Sequence, residues 1–384
     1  NRKQAYSHTI TKASGGAPVL FNARRYVGNT TGLRQINGLG FQPDLVWIKD
    51  RDGTNSHTLA DSVRGGGFSL YSNLSYQNDT TANGITGFLN DGFQLGKSGT
   101  GNSNVGNNIN GDNVAFISWA WKAGGAPSAG KQRVDNSSSE TTLSSGTHYS
   151  YITNMKQSVN STGGFSITQY TGGSTTSWFK HGLGDTRPDM FIIKSLGSTD
   201  NWVVWHTNLG SWANRWLNLD TAGGESTGDV MWQNQAPSAD GKIYIGNTSQ
   251  VNTNNSYICY AWKAVSGVSA FGTYEGNNST SNIRSDVGFV PSLLIIKNID
   301  NANNWMMMTN ILSAGTTTTS GVNYNPDGNH RALATNDSSA ESSQSYNLAK
   351  TYVDTSSGNK GFELTSANVE TNGSSNTYIY MAFA

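Results

Sequence analysis

Pro188-Asp189-Met190-Phe191-Ile192-Ile193-Lys194 is one of three versions of a single phrase in this chain. The others are Pro43-Asp44-Leu45-Val46-Trp47-Ile48-Lys49 and Pro291-Ser292-Leu293-Leu294-Ile295-Ile296-Lys297. Four consecutive apolar residues are too few for a helix, and their lack of alternation predicts a strand buried on both faces. The closing lysine is expected to end that burial by placing its ammonium in water. In each case a second phrase follows much later: Ala115-Phe116-Ile117-Ser118-Trp119-Ala120-Trp121, Ser256-Tyr257-Ile258-Cys259-Tyr260-Ala261-Trp262 and Thr377-Tyr378-Ile379-Tyr380-Met381-Ala382-Phe383. A repeat of about 100 residues is too long for a solenoid unit and suits one small domain.

Working outward, each unit opens on a tyrosine followed by a glycine turn: Tyr26-Val27-Gly28, Tyr170-Thr171-Gly172 and Tyr274-Glu275-Gly276. Further short strands are read at Asn201 to His206, Trp216 to Leu219 and Gly241 to Ile245, with counterparts in the other units. Many short strands between Gly/Asn/Ser turns, with no sustained 3.6-residue period, predict an all-β chain. The expected architecture is three tandem homologous antiparallel β-sandwich-like modules. They occupy residues 26–125, 164–267 and 268–384, with an N-terminal arm over 1–25. Residues 126–163, rich in Ser, Thr, Asn and Gly, read as a linker in which Tyr149 to Ile152 forms a short strand or anchor. The tighter junction at Val265 to Val268 predicts a semi-rigid pair of modules two and three.

Composition narrows the function classes. Charged residues make up 13% of the chain and the formal net charge is zero, so the basic stripe that nucleic-acid binding needs is missing. No apolar run is long enough to cross a bilayer as a helix. Gly, Asn, Ser and Thr supply the polarity, while 11 Trp rule out a disordered chain. The one cysteine, Cys259, excludes an internal disulfide framework and Cys-based metal clusters. Its counterparts are Ser118 and Tyr380, so it reads as a small filler and not a nucleophile.

Three constellations are candidates for chemistry. Asp50-Arg51-Asp52-Gly53-Thr54-Asn55 has spaced oxygens, but a calcium loop needs six to eight ligands, and the other units lack the acidic run. His181 with Asp185, or Asp61 with a distant histidine, lacks the nucleophile and oxyanion hole of a hydrolase. Moreover, Asp61, His206 and Thr309 fall at one equivalent position, so the architecture tolerates a change of chemistry there. No catalytic, cofactor or metal residues are assigned. Aromatic residues form the third set. Trp119, Trp121 and Trp262 repeat at strand positions and read as core. Trp178 and Trp212 read as lying in Gly/Ser/Thr/Asn-rich loops without partners in the other modules, and are the expected ligand-contact residues, able to stack on sugar rings.

Several longer phrases occur together and in order: Gly40-Phe41-Gln42-Pro43-Asp44-Leu45-Val46-Trp47-Ile48-Lys49, Asn90-Asp91-Gly92-Phe93-Gln94-Leu95-Gly96, Phe165-Ser166-Ile167-Thr168-Gln169-Tyr170-Thr171-Gly172, His181-Gly182-Leu183-Gly184 and the ending Asn376 to Ala384. From Tyr26 to Ala384 the chain resembles repeat-containing, tail fibre-like structural proteins of tailed bacteriophages, especially marine ones. That resemblance implies a virion protein exposed on the particle surface, assembled with copies of itself and other virion proteins. It carries over no catalytic residues. The expected role is a fibre or spike-like appendage touching host-surface glycan through Trp178 and Trp212. The alternatives are a capsid-decorating or tail-sheathing subunit without a receptor and, third, a polysaccharide depolymerase, for which no repeated carboxylate pair stands out.

Overall fold

Each Pro-to-Lys phrase forms a strand at the heart of a sheet, and the described residues form an all-β fold. The structure, a computed structural model, describes residues 19–80, 83–97, 109–309, 332–341, 348–354 and 356–384. Unit one contains β1 (Phe21–Val27), β2 (Arg34–Asn37), β3 (Leu45–Asp50), β4 (Thr58–Asp61), β5 (Phe68–Ser69), β6 (Asp79–Thr80), β7 (Ile85–Leu89), β8 (Gly92–Leu95) and β9 (Ala115–Trp121). Between units one and two run β10 (Lys131–Val134), β11 (Glu140–Thr142), β12 (Tyr149–Ser150) and β13 (Thr153–Asn160). Unit two holds β14 (Phe165–Thr171), β15 (Ser177–Lys180), β16 (Met190–Ser195), β17 (Val203–His206), β18 (Arg215–Asn218), β19 (Ser226–Thr227), β20 (Lys242–Ile245) and β21 (Ser256–Trp262). Unit three holds β22 (Ser269–Glu275), β23 (Asn282–Arg284), β24 (Leu293–Asn298), β25 (Met306–Thr309), β26 (Ala332–Ala334), β27 (Ala349–Val353), β28 (Lys360–Leu364) and β29 (Thr377–Phe383).

One strand order recurs three times: β1-β9-β3-β4, β14-β21-β16-β17-β18 and β22-β29-β24-β25-β26, all antiparallel. Against one face of each large sheet lies a three-stranded sheet, β2-β8-β7, β12-β15-β20 or β23-β28-β27. A separate core fills each of these sandwiches, built around Phe93 and Phe116, Phe179 and Trp205, or Phe362 and Tyr378. Tyr26, Tyr170 and Tyr274 bury their rings and donate their hydroxyls to Ile109 O, Val251 O and Thr371 O at 2.7, 2.6 and 2.6 Å. A Cβ on the following Gly28, Gly172 or Gly276 would sit 1.9, 2.2 or 2.0 Å from a carbonyl oxygen, which is why the motif ends in glycine.

The opposite faces of the three large sheets meet in one shared core. This explains why β3, β16 and β24 are buried along their whole length. At its centre the equivalent residues Trp121, Trp262 and Phe383 pack on one another, with ring centroids 5.4–6.4 Å apart. Their contacts close in a ring. Asn78 N–H donates to Leu196 O at 3.1 Å, Glu225 N–H to Ile299 O at 2.6 Å, and Glu341 N–H to Arg51 O at 2.9 Å. Thus unit one joins two, two joins three, and three returns to one. The residue preceding the fourth strand repeats this cycle. Trp202 Nε1 donates to Tyr71 O and Leu74 O at 3.0 and 3.1 Å, and Trp305 Nε1 donates to Asn218 O at 2.9 Å. In unit one His57 takes that place, with the Ala334 and Asp337 carbonyls beside its ring. Its Nε2 closes no hydrogen bond with them, while its Nδ1 accepts from Trp47 Nε1 at 2.9 Å. Every seam carries one of the three backbone bonds, so units two and three do not form a privileged pair.

Three expectations need correction. Lys49, Lys194 and Lys297 do not reach water but are fully buried, because the chain turns back at once and wraps each ammonium in carbonyls. Lys194 Nζ bonds Ser195 O and Ser198 O at 2.8 and 3.2 Å. Lys297 Nζ bonds Asn303 O at 2.7 Å and, across the seam, Ala222 O at 3.0 Å. Burial pulls both down to about 8. Residues 126–163 are no linker either: β13 pairs with the edge of β14, β10 pairs parallel to β13, and β11 flanks β10. Met155 and Val159 anchor this polar extension. Finally, Phe21 to Arg25, read as part of the arm, belong to β1, and residues 1–18 of that arm lie outside the described residues.

Candidate functional site

Unit two carries a surface that the described residues of the other two units do not repeat. In β15, Ser177 and Phe179 are buried, leaving Trp178 and Lys180 half-buried on the outer face of the small sheet. Strand β20 alternates likewise, with Ile243 and Ile245 inside and Lys242 and Tyr244 outside. Register sets Trp178 opposite Tyr244 and Lys180 opposite Lys242. On its other side Trp178 faces Ser150, whose Oγ accepts the Trp178 N–H at 3.2 Å. The next residue, Tyr151, is 71% exposed. At the equivalent register, unit one places Gln35 opposite Gln94 and unit three places Ile283 opposite Glu363.

Charges frame the aromatic rings. Lys242 Nζ sits 4.7 Å from the Trp178 ring centroid and 2.7 Å from Asp240. The hydrogen bond to Asp240 raises the Lys242 pKa, and the bonds from Lys242 and Ser238 lower that of Asp240. Both groups are therefore ionised over a wide range about neutrality. Lys180 pairs with Asp185 at 2.9 Å. Such a face can stack the apolar side of a flat or ring-shaped ligand on Trp178 and Tyr244, while carboxylates, ammonium groups and Ser150 bond hydroxyls. It is shallow and lies on a hydrogen-bonded sheet, so its geometry is set before any ligand arrives.

Trp212, the other expected contact residue, lies between β17 and β18 on the large sheet and is 40% exposed. Arg187 covers one ring face, its guanidinium 4.1 Å from the centroid, and is itself tied to Pro237 O at 2.7 Å. The indole Nε1 donates to Thr207 O at 2.5 Å, and the Trp212 carbonyl accepts from Trp205 Nε1 at 2.9 Å. Trp212 is thus pinned on three sides in a turn of the large sheet, whereas Trp178, expected in a loop, lies within strand β15 of the small sheet. Sequence reading missed Tyr244 and Lys242, although the Lys242-Ile243-Tyr244-Ile245 alternation carried the signal that both point outward.

The remaining candidates have structural duties. His181 is buried, with Nδ1 accepting from Leu183 N–H at 3.0 Å and Nε2 donating to Thr186 O at 2.8 Å, which locks a turn. Asp61 holds Arg64 at 2.6 Å and the Tyr260 hydroxyl of unit two at 2.8 Å. Its counterpart His206 reaches Tyr380 O of unit three at 3.3 Å. In the Asp50 to Asn55 loop, Asp50 serves Lys49 and Asn55, and Asp52 accepts from Ala115 N–H at 3.0 Å.

Fold and surface together define an all-β protein of three closed sandwich units with an aromatic, charge-framed face on one of them. Over residues 18–384 it matches the family described as Domain of unknown function (DUF7483), and the chain belongs to that family. No curated protein and no solved structure matches it.

Proposed function

We propose that this chain is a bacteriophage virion structural protein, a tail fibre- or spike-like appendage whose unit-two face contacts a host-surface glycan. One observation carries the reading: of three equivalent outer faces, only that of unit two places an indole opposite a phenol. A purely structural surface has no need of that asymmetry. Aromatic rings supply area at low entropy cost, and the Lys242–Asp240 and Lys180–Asp185 pairs supply oriented polar groups. Affinity at one shallow site is low and rises with the number of copies displayed. Trp178→Ala and Tyr244→Ala are expected to weaken attachment of the purified protein to host cells at least tenfold, with the unfolding midpoint changed little. Full attachment by the double variant would sink the reading. A capsid-decorating or tail-sheathing role is the second reading, favoured by exposed Leu33, Val230 and Ile283 scattered over all three units. It is recognised by the same variants failing to enter particles while glycan binding is nil throughout.

A further inference from the structure

The outer edge of β14 is covered by β13, but the equivalent edge of β22 pairs with no strand among the described residues. The ladder shows which groups are left over. Ala384 N–H donates to Val268 O and Gly276 N–H to Asn376 O, so the even-numbered residues of β22 face β29 and the odd-numbered ones face outward. Phe271 and Thr273 therefore turn N–H and C=O to the edge, and no described group bonds them there. Their counterparts Ile167 and Gln169 lie opposite Ser158 and Lys156 of β13.

Neither of the usual protections is present. On β1 the corresponding Ala23 N–H is capped by Asn22 Oδ1 at 2.8 Å, and Arg24 and Arg25 put charge on the strand. Strand β22 has Ala270 in place of Asn22, no lysine, arginine or proline, and seven residues with a charge only at Glu275. Long uncharged edges recruit strands. In unit two, three strands, β13, β10 and β11, lie beyond β14 at the equivalent place. Lys156 of β13 bonds Val63 O of unit one, and the residue matching Val63 on the unit-two side of β22 is Asn208, whose buried Oδ1 has no partner.

We infer that β22 pairs with β22 of a second copy, antiparallel about a two-fold axis, joining two five-stranded sheets into one. A strand meeting its own copy in this way presents the same donors and acceptors twice, so the interface is self-complementary and closes at two chains. This goes beyond the glycan reading and does not depend on it.

The test is analytical ultracentrifugation of the full chain across a concentration series, with amide hydrogen exchange read at Phe271 and Thr273. A monomer–dimer equilibrium is expected, with both amides protected at high concentration and exposed on dilution. Thr273→Pro removes an outward N–H and leaves the even-numbered ladder intact, so it is expected to weaken dimerisation tenfold or more, by two hydrogen bonds per dimer. A monomer at every concentration, a dimer whose two amides exchange freely, or a dimer unaffected by Thr273→Pro would each overturn the inference. The exchange measurement on the unaltered chain decides the matter even if the proline variant folds poorly.

Discussion

Glu341 and Arg51 stand at the seam where the third unit returns to the first, and replacing either one tests whether that closure carries stability. Arg51 Nε and Nη2 lie 2.9 and 2.8 Å from Glu341 Oε2, and the two side chains are 7% and 2% exposed. Breaking a buried pair by removing one partner costs about 3–5 kcal/mol, because the other charge is left uncompensated. Here Arg25 adds to the effect: burial and the nearby Arg51 hold its pKa down while Glu341 opposes them. Glu341→Asn would leave two guanidinium groups facing each other. Unfolding entropy of about 0.8 kcal/mol/K is expected for 384 residues, so the melting midpoint should fall by about 4–6 °C. The other seams indicate the remedy, since Leu196 and Asn78 fill the matching places between units one and two. Arg51→Leu with Glu341→Asn copies that pair and keeps the Glu341 N–H to Arg51 O backbone bond. It is expected to recover to within about 1 kcal/mol of the original, as apolar replacements of buried ion pairs commonly do. Calorimetry of the two single variants and the double would measure this. Single variants costing under about 1 kcal/mol, or a double no better than either, would refute the reasoning.

Four further substitutions have expected outcomes. Trp305→Phe deletes the donor to Asn218 O across the second seam and leaves a buried carbonyl unpaired, so urea unfolding should show a loss of about 1–3 kcal/mol. Tyr274→Phe strips the Thr371 O partner at a similar cost of about 1–2 kcal/mol. Gly276→Ala should be worse, because its Cβ would fall 2.0 Å from Gly373 O; equal midpoints for the two would count against the motif. Burial pulls His206 down to about 4; the unfolded chain therefore binds its proton first, and stability present above pH 6.5 is lost as pH falls towards 4. The loss reaches about 3 kcal/mol; His57, pulled down to about 3 by burial, titrates over the same stretch, so His206→Gln should reduce the slope there without removing it.

Much of the fold was legible because burial writes itself into sequence. The apolar runs of β3, β16 and β24 announced strands covered on both sides, and the recurring Tyr-x-Gly announced the corner that a hydroxyl and a close carbonyl enforce. What covers the second face was not legible, since a run of Ile and Leu is the same whether it meets a sandwich partner or another unit. Lysine misled for a related reason. Lys194 looks like the end of burial, and only the return of the loop carbonyls shows that a buried ammonium has been provided with acceptors. β13 hid because Thr153 to Asn160 carries just Met155 and Val159 as apolar residues, its pairing coming from backbone that any polar sequence can offer. As for the candidate face, Trp178 was found by having no counterpart, whereas Tyr244 and Lys242 needed strand register to join it.

The ring held together at Trp121, Trp262 and Phe383 is built from one continuous chain, and heredity treats such an object differently from a trimer of separate copies. In a trimer encoded by one short gene, every change appears three times, and a binding surface gained on one face is imposed on all. Here each third has its own codons. Unit two carries Trp178, Tyr244 and the β10–β13 extension, whereas its neighbours carry Gln35 and Ile283 at the place of Trp178. The outer face of one third can therefore change while the other two keep the framework unchanged.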